Sequence, residues 1–267
     1  MKLRDKLWLC TYRAHNFDRF YGLEPERRIG CWSRITPAEG AHMLGIKNVI
    51  MVMSDGIPVP FSVESEGYVD SFYRMNNVWW SITGCYGFKI GTEEDYILEI
   101  SKNNSKINGA FAADLLNFTK SDAQVKAILE SSAAKLDKCK NKIELWAPVQ
   151  FDAARHYSNA GCCDALDGVV LFNRFSEEIP YMEKQFEAME KLFTGKKKML
   201  GVNLYDYLNF KSVSEKNMAI QLELGRRLII EGRIEGMVIH TNCNMGLGFD
   251  SEFYTRKWMD DFADEEI

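Results

Sequence analysis

Two aspartates occupy positions where an ionised carboxylate is energetically unfavourable unless it serves a function. Asp114 closes the apolar run INGAFAA, and Asp206 lies between Tyr205 and Tyr207 at the end of the run KMLGVNLYDY. Ionisation in such a run costs several kcal/mol unless the carboxyl reaches a polar site or stays protonated. Each is therefore a candidate proton donor or nucleophile, with the Tyr205 phenol orienting Asp206. The alternative for both is a carboxylate that caps a loop or closes a turn.

The histidines and cysteines do not form a metal-binding pattern. The first apolar run is followed by RAHN, which supplies one histidine where a metal-dependent hydrolase barrel would carry HxH, and none of the seven cysteines forms a CxxC pair. We therefore predict neither a metal nor a cofactor. The odd, scattered cysteines and the lack of a leader favour reduced thiols and a cytoplasmic protein. His240, at the end of an apolar run, is either an acid–base group or a hydrogen-bonded structural residue.

Composition and charge limit the classes of molecule that the protein is expected to bind. The 267 residues are 46% hydrophobic and 27% charged, which is typical of a globular protein, and the formal net charge is -5 at pH 7. An acidic chain lacks the broad basic surface that nucleic acid or anionic lipid requires. No apolar run approaches the roughly 18 residues that span a bilayer. We expect a small-molecule or oligosaccharide partner, and neither nucleic acid nor membrane.

Eight short apolar runs alternate with amphipathic helical segments. Most runs are apolar without alternation, as strands buried on both faces must be. The predicted strands are residues 6–12, 48–53, 78–83, 107–114, 143–149, 168–173, 198–205 and 236–241. Helix starts are marked by capping boxes, such as the one that joins Thr36 to Glu39 and the one that joins Ser121 to Gln124.

Eight strand–helix units in this length predict a single-domain (β/α)8 barrel over residues 1–267. A doubly wound open sheet is the alternative, but its glycine-rich turn is missing after the first strand. The connections after strands one and two, residues 13–35 and 54–77, are long. The second contains two prolines and little helix signal before about Gly67. Long early loops of this kind favour a lid or specificity surface.

Barrel enzymes act at the C-terminal ends of their strands, so the strand list also predicts a site. His15 and Asp18 follow the first strand. Flat aromatic faces and amide or guanidinium groups suit sugar rings and hydroxyls. The substrate-binding candidates at the strand ends are Asp55, Trp146, Gln150, Asn173, Arg174, Asn203, His240 and Asn242.

The strand plan, the aspartate that ends strand four and the LYDY segment that ends strand seven resemble the glycoside hydrolase superfamily of (β/α)8 barrels. Many retaining members carry glutamates on strands four and seven, where this chain has Asp114 and Asp206. The resemblance implies that these two form a carboxylate pair that binds or hydrolyses a carbohydrate. A separation of roughly 5 to 5.5 Å would predict retention of anomeric configuration, and about 6.5 to 9.5 Å inversion.

Two alternatives remain open at this stage. A metal- or phosphate-dependent sugar isomerase or lyase would draw ligands from Asp114, Asp152, Asp206 and His240, or hold a phosphate on the glycine-rich segment CNMGLGFDSE after strand eight. A barrel that binds carbohydrate without cleaving it is favoured by the missing glutamate pair.

Overall fold

The computed structural model describes residues 1–14, 16 and 33–267, and its main feature is a closed barrel of eight parallel strands. The strands are β1 (Leu7–Tyr12), β2 (Asn48–Val52), β3 (Asn77–Thr83), β4 (Ile107–Ala112), β5 (Glu144–Gln150), β6 (Gly168–Phe172), β7 (Lys197–Asn203) and β8 (Gly236–His240). Each pairs with its neighbours in sequence, and β1 pairs with β8 to close the ring. The predicted barrel and all eight predicted strands are confirmed.

An α-helix precedes or follows every strand on the outside of the barrel. The helices are α1 (Pro37–Met43), α2 (Val63–Ser71), α3 (Glu93–Ser101), α4 (Asp122–Leu136), α5 (Phe151–Asn159), α6 (Met182–Glu190), α7 (Glu215–Ile230) and α8 (Asp250–Phe262). The predicted capping boxes begin two of them: Thr36 with Glu39 at α1, and Ser121 with Gln124 at α4. Within the described part of the chain, no helix is long and apolar enough to cross a membrane.

The connection after β2 differs from the prediction. The helix signal was expected from about Gly67, but the helix α2 begins at Val63, so the irregular part of the connection covers residues 53–62. Ser62 starts this helix by accepting a hydrogen bond from the backbone N–H of Ser65 at 3.1 Å. Only Ser65 of its residues is buried, so the helix has no apolar stripe that the sequence pattern would reveal. The connection after β1 is long as expected, but His15 and residues 17–32 lie outside the described residues.

Aromatic side chains fill the N-terminal half of the barrel interior. The ring centroids of Trp8 and Trp79 lie 4.1 Å apart, and those of Trp79 and Trp146 lie 4.8 Å apart. Glycine on the neighbouring strand makes room for them: a Cβ added at Gly109 would lie 2.1 Å from Trp79 Cδ1. The indole of Trp79 thus occupies the space that a side chain at Gly109 would take, which keeps this layer of the barrel interior packed.

Candidate functional site

His240 occupies the centre of the C-terminal end of the barrel, at the last residue of β8. Three aromatic rings surround it, with centroids 5.8 Å (Tyr12), 6.0 Å (Phe172) and 5.7 Å (Tyr207) from the imidazole. Tyr12 Oη and His240 Nε2 are 3.2 Å apart, within hydrogen-bonding distance. Burial lowers the pKa of His240 to about 4, because it disfavours the charged imidazolium. The imidazole is therefore neutral at neutral pH.

The phenol of Tyr12 also stays uncharged. Burial raises its pKa well above the ordinary value, and the ionisable groups of Cys10, Cys85, Tyr207 and Asp114 add to the increase. The contribution of Asp114 places that carboxylate within electrostatic reach of Tyr12. The centre of the barrel end is thus a neutral phenol–imidazole pair that can exchange hydrogen bonds with a ligand but carries no charge.

Asp114 is an exposed carboxylate at this end of the barrel. It follows β4 by two residues, in the left-handed conformation with φ of 53°. Its Oδ2 accepts a hydrogen bond of 2.8 Å from the backbone N–H of Tyr86, in the loop after β3. Aspartate is one of the few non-glycine residues that adopt this conformation readily, and positive φ is also found at functional sites. The left-handed backbone and the hydrogen bond thus hold the carboxylate in place.

Asp206 has a different environment, because its carboxylate is buried and fully hydrogen-bonded. Its Oδ2 accepts from Ser176 N (2.9 Å), Ser176 Oγ (2.7 Å) and Asn209 Nδ2 (2.9 Å), and its Oδ1 accepts from Leu208 N (3.1 Å) and Asn209 N (2.9 Å). Burial opposes ionisation, but the hydrogen bonds from Ser176 and Asn209 outweigh it and lower the pKa of Asp206. The carboxylate joins the loop after β6 to the segment after β7.

Tyr205 is buried beside Asp206 in a short antiparallel ladder that Tyr205–Asp206 forms with Lys211–Ser212. Its ring lies nearly parallel to that of Phe249, with centroids 5.5 Å apart, and meets Tyr207 edge-on at 5.1 Å. Tyr207 Oη donates a 2.7 Å hydrogen bond to Asn244 Oδ1. Tyr205 therefore packs the segment after β7 against the segment after β8.

Two amide oxygens at this end have no protein partner in the described part of the chain. They are Gln150 Oε1, at the end of β5, and Asn173 Oδ1, just after β6. Asn173 is held from its other side, because its Nδ2 donates to Gln185 Oε1 at 2.7 Å and its carbonyl accepts from Asn203 Nδ2 at 3.0 Å. A buried acceptor without a donor is costly, and a ligand hydroxyl can supply the donor.

Trp146 and Asn242 do not have the substrate-binding positions that the sequence predicted. Trp146 lies at the third residue of β5, buried in the N-terminal half of the barrel, where its indole N–H donates to Glu144 Oε2 at 3.0 Å. Asn242 is buried at the C-terminal end, and its amide bonds the Tyr12 N–H, the Tyr12 carbonyl and the Ile35 carbonyl at 2.8–2.9 Å. Trp146 therefore lies at the N-terminal end of the barrel, away from the predicted site. Asn242 links the end of β8 to the chain after β1.

The other candidates lie at the expected strand ends, where their ligand contacts stay predictions. Arg174 Nε is 2.9 Å from Asp152 Oδ2, an ion pair that links the loops after β6 and β5. Asp55 is exposed in a left-handed turn, with φ of 52°. His15 and Asp18 are outside the described residues.

The groups required by the isomerase and lyase alternative are not assembled in the described regions. Residues 1–14, 16 and 33–267 contain no cluster of three His, Cys, Asp or Glu side chains that could hold a metal ion. In the glycine-rich segment after β8, the Gly246 N–H donates to Glu252 Oε2 at 2.8 Å. A carboxylate already occupies an amide that a phosphate would need, and its charge would repel a phosphate.

The contact between Tyr12 and His240 was missed at the sequence level, where the two residues are 228 positions apart. A signal was present. In a closed barrel the first and last strands are neighbours, so the residues that end them must meet. The observed register pairs Cys10 with His240, which places Tyr12 just beyond the imidazole.

No protein-family model matches the chain, and no curated protein sequence matches it. Solved structures with a similar fold include an endo-α-mannosidase from Bacteroides thetaiotaomicron, with 11% identity, 97% of each chain covered and a TM-score of 0.59. The spore cortex-lytic enzyme SleL of Bacillus cereus has 11% identity over 96% of this chain and 74% of its own, with a TM-score of 0.58. A tryptophan synthase α-subunit from Pyrococcus furiosus has 12% identity, 97% coverage of both chains and a TM-score of 0.50. At such identities the likeness shows the barrel fold alone.

Proposed function

We propose that the chain binds a carbohydrate at the C-terminal end of the barrel and that Asp114 acts on its glycosidic bond. The observation that carries this proposal is the state of Asp114: an exposed carboxylate on a left-handed backbone at the end of β4, held by one main-chain N–H. A carboxylate placed in this way can stabilise the positive charge that develops on a sugar ring, attack the ring, or activate water.

The other groups at this end suit a neutral, hydroxyl-rich ligand. Gln150 Oε1 and Asn173 Oδ1 accept hydrogen bonds from sugar hydroxyls, which relieves their unpaired state. The uncharged Tyr12 and His240 exchange hydrogen bonds with the ligand without attracting ions. Aromatic rings around the imidazole add the flat apolar faces against which sugar rings pack.

Asp206 has a structural role in this proposal, and this departs from the carboxylate pair that the sequence suggested. All five of its hydrogen bonds are to the protein, and they fix the segment after β7 to Ser176. To act as a nucleophile, Asp206 would have to break several of these bonds, each of which leaves a buried donor unpaired. The endo-α-mannosidase and the cortex-lytic enzyme among the similar folds add an analogy for carbohydrate chemistry.

The test is hydrolysis of a panel of α- and β-aryl glycosides and oligosaccharides by the wild type and by Asp114→Asn. We expect at least one member to be cleaved, with kcat/KM reduced by about 10²-fold or more in Asp114→Asn. The matched control is Asp137→Asn, which removes an exposed carboxylate at the end of α4, on the opposite face of the barrel. Melting temperatures of all three proteins establish that they are folded.

Full activity in Asp114→Asn would overturn the catalytic role. Sugar binding by calorimetry without any cleavage would instead assign the chain to the carbohydrate-binding barrels. That outcome has one observation in its favour: Asp206, the second carboxylate that the sequence suggested, is committed to protein hydrogen bonds. Absence of both cleavage and binding across the panel would reject the proposed ligand class.

A further inference from the structure

Four apolar side chains are exposed in the loop after β3 and in the loop after β4, which contains Asp114. Tyr86 is 67% exposed, Phe88 48% and Ile90 44%, all after β3, and Phe118 is 53% exposed in the loop after β4. We call these four residues the aromatic ledge. Single exposed apolar residues are common, but a group of large ones beside a candidate site marks a binding surface.

Several residues of these loops, including two of the aromatic ledge, have a strained backbone conformation. Six non-glycine residues have positive φ in the described ranges, and five of them lie in the loops after β2, β3 and β4. Tyr86 (φ 56°) and Phe118 (φ 64°) belong to the ledge. A left-handed conformation costs an aromatic residue roughly 1–2 kcal/mol, and glycine would avoid the cost. Loops built for stability alone would not place aromatic residues there.

Hydrogen bonds and packing hold the ledge in one arrangement. The Phe118 N–H donates to Tyr157 Oη at 2.6 Å, and Thr119 Oγ1 lies 3.2 Å from the Tyr86 carbonyl oxygen, so the two loops are in contact. A Cβ added at Gly56 would lie 2.9 Å from Phe88 Cε1 and 3.0 Å from Ile90 Cδ1, so both side chains rest on the loop after β2. A surface ordered in advance loses less entropy on binding.

The ledge is directly linked to the candidate carboxylate. The Tyr86 N–H donates to Asp114 Oδ2, and Phe118 follows Asp114 by four residues in the same loop. Lys89 does not compete for the surface, since it forms an ion pair with the buried Glu94. Flat rings interspersed with hydroxyl and amide groups, such as those of Thr119 and Asn117, match the alternating apolar faces and hydroxyl edges of sugars.

We propose that the aromatic ledge stacks against successive sugar residues of an oligosaccharide, so that the substrate is a chain that extends from Asp114 across the loops after β4 and β3. The inference rests on the proposed function for its ligand class. It goes further in naming a polymeric ligand and the side on which that ligand lies.

Native gel electrophoresis through soluble polysaccharides tests the ledge without any need for cleavage. The probes are α-mannan, galactomannan, xylan and mixed-linkage β-glucan, each cast in the gel. We expect at least one to retard the wild type, with an apparent affinity about tenfold lower in Tyr86→Ala and in Phe118→Ala. Tyr86→Phe keeps the ring and should stay retarded. Phe253→Ala, which removes an equally exposed ring from α8, should behave like the wild type.

The outcomes separate this inference from the proposed function. No retardation by any polysaccharide, or equal retardation of the wild type and Tyr86→Ala, overturns the ledge even where small aryl glycosides are cleaved. Retardation that depends on Tyr86 and Phe118 supports the ledge even where nothing is cleaved, and in that case the catalytic role of Asp114 fails alone. Asp114→Asn should keep its retardation, because the rings remain in place.

Discussion

At the N-terminal end of the barrel, the indole of Trp79 packs against those of Trp8 and Trp146, with centroids 4.1 Å and 4.8 Å away. The C-terminal end instead carries a neutral imidazole, two amide oxygens without a partner among the described residues, and an exposed carboxylate. At the first end bulky side chains are packed against glycines. At the second, polar groups lack partners and the loops are strained. Most polar groups at the first end pair with one another, although Asn108 Oδ1 has no partner among the described residues, while the second end leaves acceptors that a ligand can pair.

Polar groups at the N-terminal end are also largely paired with one another. Asn108 Nδ2 donates to Asn77 Oδ1, Asn77 Nδ2 donates to Asn48 Oδ1 at 2.7 Å, and Asn48 Nδ2 donates to the Leu7 carbonyl at 2.9 Å. This ladder of asparagines links the starts of four strands. A cavity of about 330 Å³ opens there, with ion pairs such as the one between Lys197 and Glu144 on its rim.

The difference indicates which end of the barrel stabilises the fold and which end contains groups that lower its stability. Packing and paired polar groups stabilise the N-terminal end. Left-handed aromatic residues, a half-buried uncharged histidine and unpaired acceptors each reduce stability at the C-terminal end. Such a division suits an enzyme barrel, whose chemistry is at the C-terminal ends of the strands. Substitution of the packed indoles at the N-terminal end should therefore cost more stability than substitution of the exposed loop residues at the C-terminal end.

The largest effect is expected from Trp79→Ala at the N-terminal end. The indole contacts Trp8, Trp146 and Phe111, and it fills the space left by Gly109. Its removal leaves a cavity and should lower the free energy of unfolding by about 3–5 kcal/mol. The measurement is urea denaturation followed by circular dichroism. Tyr86→Ala, at the other end, should change that free energy by no more than about 0.5 kcal/mol. Equal losses of unfolding free energy in Trp79→Ala and Tyr86→Ala would contradict the proposed difference between the two ends.

His240 should make stability depend on pH at the C-terminal end. Its pKa in the folded protein is about 4, against about 6.5 in the unfolded chain, so the unfolded chain binds more protons between these values. Stability is therefore lost as pH falls from about 6.5 towards 4, by about 2 kcal/mol between pH 7 and pH 4.5.

His240→Gln should remove that part of the pH dependence, measured by denaturation at the two pH values. His42→Gln, which replaces an exposed histidine of α1, is the control and should keep the wild-type profile. A profile unchanged by His240→Gln would mean that the imidazole is better solvated than its aromatic surroundings indicate.

Asp206→Asn should reduce stability by about 2 kcal/mol, because an amide cannot accept from all the donors of Ser176 and Asn209. The carboxylate has a lowered pKa, so its stabilisation is present above the ordinary pKa of about 4 and is lost as pH falls through the lower, folded value. Denaturation at pH 7 and pH 3 should show a smaller difference for the variant than for the wild type. Asp152→Asn, an exposed ion-pair partner, should cost about 0.5 kcal/mol or less.

The sequence predicted the barrel well because strand order follows from local patterns. Apolar runs and capping boxes are encoded within a few residues, and eight of them in series leave few topologies. The site was harder to predict. Whether Asp206 is free or saturated depends on Ser176, thirty positions away, and whether Trp146 faces a ligand depends on how far along β5 it lies. The start of α2 was placed about four residues too late, because an exposed helix needs no apolar stripe to mark its first turn.

Positive φ is equally invisible in the sequence at Tyr86 and Phe118, since aromatic residues are not expected there. The signal that was available is the pair Gly84 and Gly87 around Tyr86, where a tight turn must form. A Cβ added at Gly84 would lie 2.0 Å from the Met53 carbonyl oxygen, so this glycine is required by the close approach of the loop after β2. Tertiary contact, not local propensity, decides the conformation of the ledge.

The smallest expected effect is also the one that most sharpens the comparison of the two ends. Tyr86→Gly removes an exposed ring, which contributes little to packing, and replaces a left-handed aromatic residue by the residue that adopts this conformation without strain. Relief of the left-handed strain, roughly 1–2 kcal/mol, exceeds the entropy that glycine adds to the unfolded chain, roughly 0.5–1 kcal/mol, so the free energy of unfolding should rise by up to about 1 kcal/mol. The apparent affinity for polysaccharide should fall about tenfold, as in Tyr86→Ala. Gly67→Ala, on exposed α2 with open space around its Cα, should raise stability by a similar amount and leave binding unchanged. A Tyr86→Gly protein that loses stability would mean that the ring packs in solution, and the C-terminal loops would then resemble the other end of the barrel.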